Sequence, residues 1–166
     1  MPNRARTAST GMGATRGGVV RLLATAAGLG NLPYAPGTAG SLLAAVLCFP
    51  LLFLPLAMYL GATLLLILVA VWAAGRVAAE LGQDDPGQVV IDEMAGMWVA
   101  GIALPPTLYD LAAVFVLYRL IDVVKPAPLP HLERLRGGLG IVADDVGAGL
   151  LAGAMWWLLK ANFDFF

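Results

Sequence analysis

The sequence predicts an all-α integral membrane bundle of about four to five membrane-embedded helices, one of them a candidate re-entrant segment. Three observations predict it. Hydrophobic residues make up 60% of the 166-residue chain and charged residues only 13%, against about 25% in ordinary soluble domains. Leu42 to Gly75 contains no charged residue. The period-two alternation of a half-buried strand is missing throughout. The length suits one domain, read as residues 19–166 behind a basic, disordered tail of residues 1–18. With a net charge of -1 there is no global basic field, so nucleic acid is not an expected partner. The oligomeric state stays open, a homo-oligomer included.

The elements follow in order. The tail carries Arg4, Arg6 and Arg16, Arg21 follows, and no acid precedes Glu80, which places this end on the cytoplasmic side. It lacks the apolar core of a signal peptide. Val19–Gly28 reads as a short interfacial helix with Arg21 toward headgroups. Gly28–Ser41, which includes Asn31, reads as a rigid loop, and it lacks the third glycine of a dinucleotide fingerprint. Thr38 or Ser41 is placed to cap the next helix, whose N-terminal amides attract phosphate. Leu42–Gly75 as one helix would run about 50 Å, too long for a hydrocarbon core of about 30 Å. Pro50 and Pro55 divide it into a short Ser41–Leu54, re-entrant, kinked or tilted, and a spanning Leu56–Ala74. Arg76–Gln88 is a polar connection with a turn at Asp84–Gly87.

The chain re-enters the membrane at Val89 and reaches the far side near Pro105-Pro106. Tyr109–Val124 returns, with Arg119, Asp122 and Lys125 at three-residue spacing. Lys125–Val142 is a loop containing His131, Arg134 and Arg136. The last helix opens at Asp144-Asp145 and runs to Leu159. Gly149 and Gly153 form a close-packing pair, and Trp156-Trp157 with Lys160 suits the opposite interface. Cys48, the only cysteine, is a buried inert thiol, and disulfides are excluded.

Asp92 and Glu93 interrupt the apolar run Val89–Leu104. On a helix they point about 100° apart, and Gly96, one turn on, leaves open space beside them. Adjacent acids repel unless a cation or proton lies between them. An ion pair with Arg119 or Arg76 is the purely structural alternative. The topology brings Asp122, Lys125, Asp144, Asp145 and the Asn31–Ser41 loop to the same cytoplasmic level, and leaves Asp110 on the far side in a structural role. Asp92, Glu93, Asp122, Asp144 and Asp145 are therefore candidate Mg²⁺ ligands, since hard oxygens suit that ion. Arg119 and Lys125 are candidate phosphate contacts, with Thr38, Ser41 and Asn31 beside them. For phosphoryl transfer the candidate catalytic set is Asp92, Glu93, Asp122, Lys125 and Asp145. Cysteine, paired-histidine and haloacid-dehalogenase phosphatase signatures are absent from the sequence. A metal-activated water or an aspartyl nucleophile remains.

Four stretches also carry a family resemblance: Asn31-Leu-Pro-Tyr-Ala-Pro-Gly-Thr38, Asp85-Pro-Gly-Gln-Val-Val-Ile-Asp-Glu93 with Gly96, Tyr118-Arg-Leu-Ile-Asp-Val-Val-Lys-Pro-Ala-Pro128, and Gly138-Leu-Gly-Ile-Val-Ala-Asp-Asp-Val-Gly-Ala-Gly149. In this order they resemble the motifs of phosphatidylglycerophosphatase A, over roughly Gly28 to Trp157. Tyr118 stands where members often have Phe. The resemblance implies a bacterial, Mg²⁺-dependent lipid phosphatase of the inner membrane, converting phosphatidylglycerophosphate to phosphatidylglycerol. The rivals are a small transporter or channel subunit with an intramembrane ion site, and an assembly subunit. A transport path calls for polar residues through the whole depth, whereas Leu42–Ala74 and Val146–Leu159 carry no charge.

Overall fold

The computed structural model describes residues 10–162, and these form seven α-helices and one 3₁₀ turn, with no strand among them. In chain order the helices are α1 (Thr10–Ala24), α2 (Pro36–Leu51), α3 (Leu56–Leu81), α4 (Ile91–Ala100), α5 (Leu108–Val124), α6 (Leu129–Leu132) and α7 (Gly138–Asn162). The helix expected at Val19–Gly28 is displaced: α1 ends at Ala24, residues 25–28 forming a turn, and it begins at Thr10, within the tail expected to be disordered; the part of that tail before Thr10 lies outside the described residues.

The centre of the bundle is the pair α4 and α7. α4 packs on α7, α2, α3 and α5, and α7 packs on α4, α3 and α5. Small residues permit this. A Cβ on Gly149 would lie 2.2 Å from the Gly96 carbonyl oxygen, and one on Gly153 would lie 3.0 Å from that of Ala100. The Gly149/Gly153 pair is thus a close-packing face, and α4 is what it meets. Without side chains in the way, backbones approach to van der Waals distance, the device by which apolar helices associate in lipid.

Two helices, α3 and α7, are long and apolar enough to cross a membrane, fewer than the four to five embedded helices expected. The physical reason is length. α2 and α5 have 16 and 17 residues, about 24 and 26 Å against a core of about 30 Å. α4 has 10 residues, about 15 Å, so Val89–Leu104 does not run through as a helix. It stops because the chain turns at Gly101–Thr107, where Ala103 takes a left-handed φ of 58° and Pro105 follows. α3 presents Leu60, Leu64, Leu65 and Leu68 outward, an apolar face that no other element covers among the described residues.

At the end where α5 begins, Thr107 caps the helix by accepting from the Asp110 amide at 3.0 Å. Asp110 itself is buried and accepts from the Trp156 indole and the Lys160 ammonium, both at 2.8 Å. Its structural role is as expected, but Trp156 is turned into the bundle rather than out to an interface. Cys48 is buried beside the Tyr59 hydroxyl at 3.1 Å.

Candidate active site

The opposite end of the bundle gathers the remaining intrahelical charge. α4 contributes Asp92 and Glu93 in its first turn, where the positive end of the helix dipole favours carboxylates. α5 contributes Tyr118, Arg119 and Asp122 from its last turns, with Lys125 capping it in the left-handed region at φ 45°. α7 contributes Asp144 and Asp145. These acids do not open α7: it starts at Gly138, so they stand nearly two turns inside it. α2 contributes Gly37, Thr38 and Ser41.

Thr38 and Ser41 are not caps. Proline is pre-set for the first helical position, so α2 begins at Pro36 and both hydroxyls lie inside its first turns. There they hold Arg119. Its guanidinium donates to Asp122 at 2.6 Å, to the Ser41 hydroxyl at 3.3 Å and to that of Thr38 at 3.2 Å. Ser41 donates onward to the Gly37 carbonyl at 2.7 Å. The ion pair weighed for Asp92 and Glu93 does not form: Arg119 pairs with Asp122 instead, and no ion pair joins Arg76 to Asp92 or Glu93 among the described residues. Glu93 reaches the same spot, since a Cβ on Gly37 would fall 1.9 Å from its Oε1. A side chain at Gly37 would displace that carboxylate from where it lies.

Gly96 does not leave open space, contrary to the expectation from spacing. A Cβ there would lie 2.6 Å from both the Tyr118 hydroxyl and the Asp145 carbonyl oxygen. The position is filled by Tyr118, whose buried hydroxyl donates to Asp145 Oδ1 at 2.7 Å. Asp144 pairs instead with Lys125 at 2.6 Å, and Lys125 also binds Glu133. Burial works against the Lys125 ammonium, but the hydrogen bonds to Asp144 and Glu133 outweigh it and raise its pKa. Lys125 is therefore a fixed cation. Asp85, in the loop before α4, has its carboxyl pushed up by burial; Lys125 opposes this, and Glu133 and Asp122 add to it.

Charge is unevenly matched here. Asp92, Glu93 and Asp145 stand close enough to feel one another and Asp122, while Arg119 and Lys125 are the two cations paired among them. Buried atoms are also left over: Asp92 Oδ1, Glu93 Oε2, Asp144 Oδ1 and Arg119 Nε make no hydrogen bond among the described residues. An uncompensated buried carboxylate oxygen costs several kcal/mol, so this pattern calls for a cation or protons. Among the described residues, no three acids converge into a ready-made metal cage. Mg²⁺ does not require one: it keeps several waters and is held through one or two carboxylates plus substrate phosphate. The donor chemistry of Asp92, Glu93 and Asp144 fits that ion.

A cavity of about 550 Å³ opens beside the cluster, lined by Asp84, Asp85, Glu133, Arg134, Arg136 and Asp144. Asn31 is not brought to the cluster. It lines a separate cavity with Arg21, Thr25 and Gln88. His131 is exposed on α6, a short helix within the stretch expected to be a loop. Sequence reasoning missed Tyr118, Glu133, Asp85 and Gly37. Three of these lie inside the resembling motifs, so a signal existed for them; Glu133 sits in a basic loop that gives none.

Comparison with known proteins completes the description. The family model of phosphatidylglycerophosphatase A matches residues 22–160. A Bacteroides thetaiotaomicron protein, provisionally named a phosphatidylinositol-3-phosphatase, is 38% identical over 148 residues, covering 81% of this chain and 92% of that protein. Phosphatidylglycerophosphatase A of Escherichia coli is 36% identical over 140 residues, covering 83% and 81%. That of Haemophilus influenzae is 34% identical over 148 residues, covering 84% and 91%. No solved structure matches the chain.

Proposed function

The chain belongs to the phosphatidylglycerophosphatase A family of phosphoric monoester hydrolases, and from that premise we propose that it cleaves the terminal phosphate of phosphatidylglycerophosphate, releasing phosphatidylglycerol and phosphate for phospholipid biosynthesis. The observation that carries this reading is the set of unpartnered buried oxygens on Asp92, Glu93 and Asp144 beside the anchored Arg119 and Lys125. A charged cluster serving packing alone has no reason to leave them unmatched.

Arg119, locked by Asp122, Thr38 and Ser41, presents a rigid fork to a phosphate oxygen, and Lys125 adds a compact charge from the other side. Asp92 Oδ1, buried and uncommitted, is the acceptor for the proton of an attacking water. That water forms the new P–O bond as the ester P–O bond breaks, and the lipid alcohol takes up a proton on leaving. Tyr118 fixes the orientation of Asp145 through its 2.7 Å hydrogen bond. Mg²⁺ bound through Asp92, Glu93 and Asp144, with Asp122 and Asp145 adjoining, would neutralise the excess negative charge and polarise the phosphoryl group.

On this reading the protein is a multi-pass bundle of the bacterial inner membrane, α3 and α7 spanning and α2, α4 and α5 embedded beside them; the length and apolar composition of α3 and α7 support it. The site faces the cytoplasm, in keeping with Arg21 in the last turn of α1, Arg76 in the second half of α3, and Arg134 and Arg136 in the connection before α7. The transporter reading loses its basis, because the charges of the described bundle stand at its two ends with apolar packing between them.

Phosphate release by purified protein in detergent tests the proposal, with phosphatidylglycerophosphate, phosphatidylinositol 3-phosphate and phosphatidic acid offered in parallel. Release is expected from the first, to stop on exhaustive chelation, and to return with Mg²⁺. No release from it, or full turnover after chelation, would sink the substrate or the metal half respectively.

A further inference from the structure

We infer that the seam between α2 and α5 is the slot for an acyl chain of the lipid substrate, an inference that rests on the lipid-phosphatase reading. The two helices run antiparallel there. Ser41, near the start of α2, meets Arg119, near the end of α5, at 3.3 Å. Below that contact a cavity of about 410 Å³ opens between them, within the size range of small-ligand sites. Leu42, Ala45 and Phe49 line it from α2, and Leu108, Ala112 and Phe115 from α5, every one apolar. The stretch Leu42–Phe49 makes the slot about 10 Å long. Its rims at Leu42 and Leu108 are exposed, while Ala45, on its floor, is buried.

The head of the slot identifies the occupant. Ser41 directly precedes Leu42, and Arg119 lies one turn beyond Phe115, so the apolar groove ends at the Arg119–Thr38–Ser41 cluster. Among the described residues Arg119 Nε has no acceptor there. An anionic headgroup gripped at Arg119 with its hydrocarbon chain laid along α2 and α5 satisfies both features at once. The small side chains Ala45 and Ala112 at mid-length give the groove its depth; a large residue at either would close it.

The test uses the full-length protein in detergent. Ala112→Trp fills the slot, and Leu64→Trp, on the exposed face of α3, is the control. Turnover is compared on long-chain phosphatidylglycerophosphate and on its deacylated, water-soluble headgroup. Ala112→Trp is expected to lower the preference for the long-chain substrate by about tenfold or more, the loss of roughly two buried methylenes. Leu64→Trp should keep the wild-type preference. An unchanged preference in Ala112→Trp, or equal loss on both substrates, would overturn the slot. An independent arm exposes wild-type protein to phosphatidylglycerol bearing a photoreactive group on its chain. Label concentrated on α2 and α5, and competed by unlabelled lipid, supports the slot. Label spread evenly onto α3, or crosslinks joining two copies through the seam, defeats it. If the wild type hydrolyses neither substrate, the activity proposal fails while the labelling still decides the slot.

Discussion

The bundle carries buried charge at both ends, and the two ends are built on opposite terms. Around Asp110 every demand is met: Thr107 donates to one oxygen at 2.5 Å, and Trp156 and Lys160 donate to the other at 2.8 Å. Around Asp92 the acids outnumber the cations, and oxygens on three carboxylates are left over. The first arrangement ties α5 to the end of α7 and asks nothing of a ligand. The second leaves buried acceptors for a ligand or protons to meet. Buried charge by itself is thus a poor marker of function in an apolar bundle; unfinished hydrogen bonding is the better one.

Substitutions can break or sharpen that contrast, in descending order of effect on turnover. Asp92→Asn and Asp145→Asn are each expected to lower kcat about a thousandfold while the melting temperature holds or rises, since a repelling charge has gone. A matching loss of thermal stability would put these acids on the same footing as Asp110. Arg119→Ala is expected to cost about a hundredfold in kcat/KM and to destabilise by about 3 kcal/mol, because it frees Asp122 and two hydroxyls at once. Lys125→Ala, whose side chain is 33% exposed, should raise KM with under about 1 kcal/mol of destabilisation. Kinetics and melting of both variants in one detergent separate the two; equal melting would erase the distinction.

At the far end the pattern should invert. Asp110→Ala is expected to lose about 3 kcal/mol, leaving Lys160 and the Trp156 indole without their acceptor. Turnover per folded molecule should stay within about twofold of wild type, well inside 1 kcal/mol of barrier. His131→Ala, exposed on α6, should change neither quantity, and a lost activity in folded protein would reopen a histidine mechanism.

Much of the site was legible because charge is conspicuous against hydrocarbon. The common depth of Asp92, Asp122 and Asp145 and the structural role of Asp110 follow from position alone, whereas which acid Arg119 would take did not. What stayed hidden has physical causes. Hydropathy cannot separate an apolar helix from a buried apolar turn, so Val89–Leu104 looked like one crossing when α4 ends at Ala100. Pro36 marked the start of α2, yet Thr38 and Ser41 drew attention as caps because their distant partner, Arg119, lies 81 and 78 residues away. Glu133 reaches Lys125 from a loop, a contact no periodicity encodes.

Gly96 has a consequence for genetics. It carries no side chain, binds nothing and titrates nothing, yet a single added methyl would press on the Tyr118 hydroxyl and the Asp145 carbonyl together, each 2.6 Å from where it must go. In a blind screen for inactive alleles, Gly96→Ala should therefore score beside the acids themselves, and an observer ranking hits by severity would credit it with chemistry. What such an allele removes is aim: the carboxylate is present, and it points the wrong way.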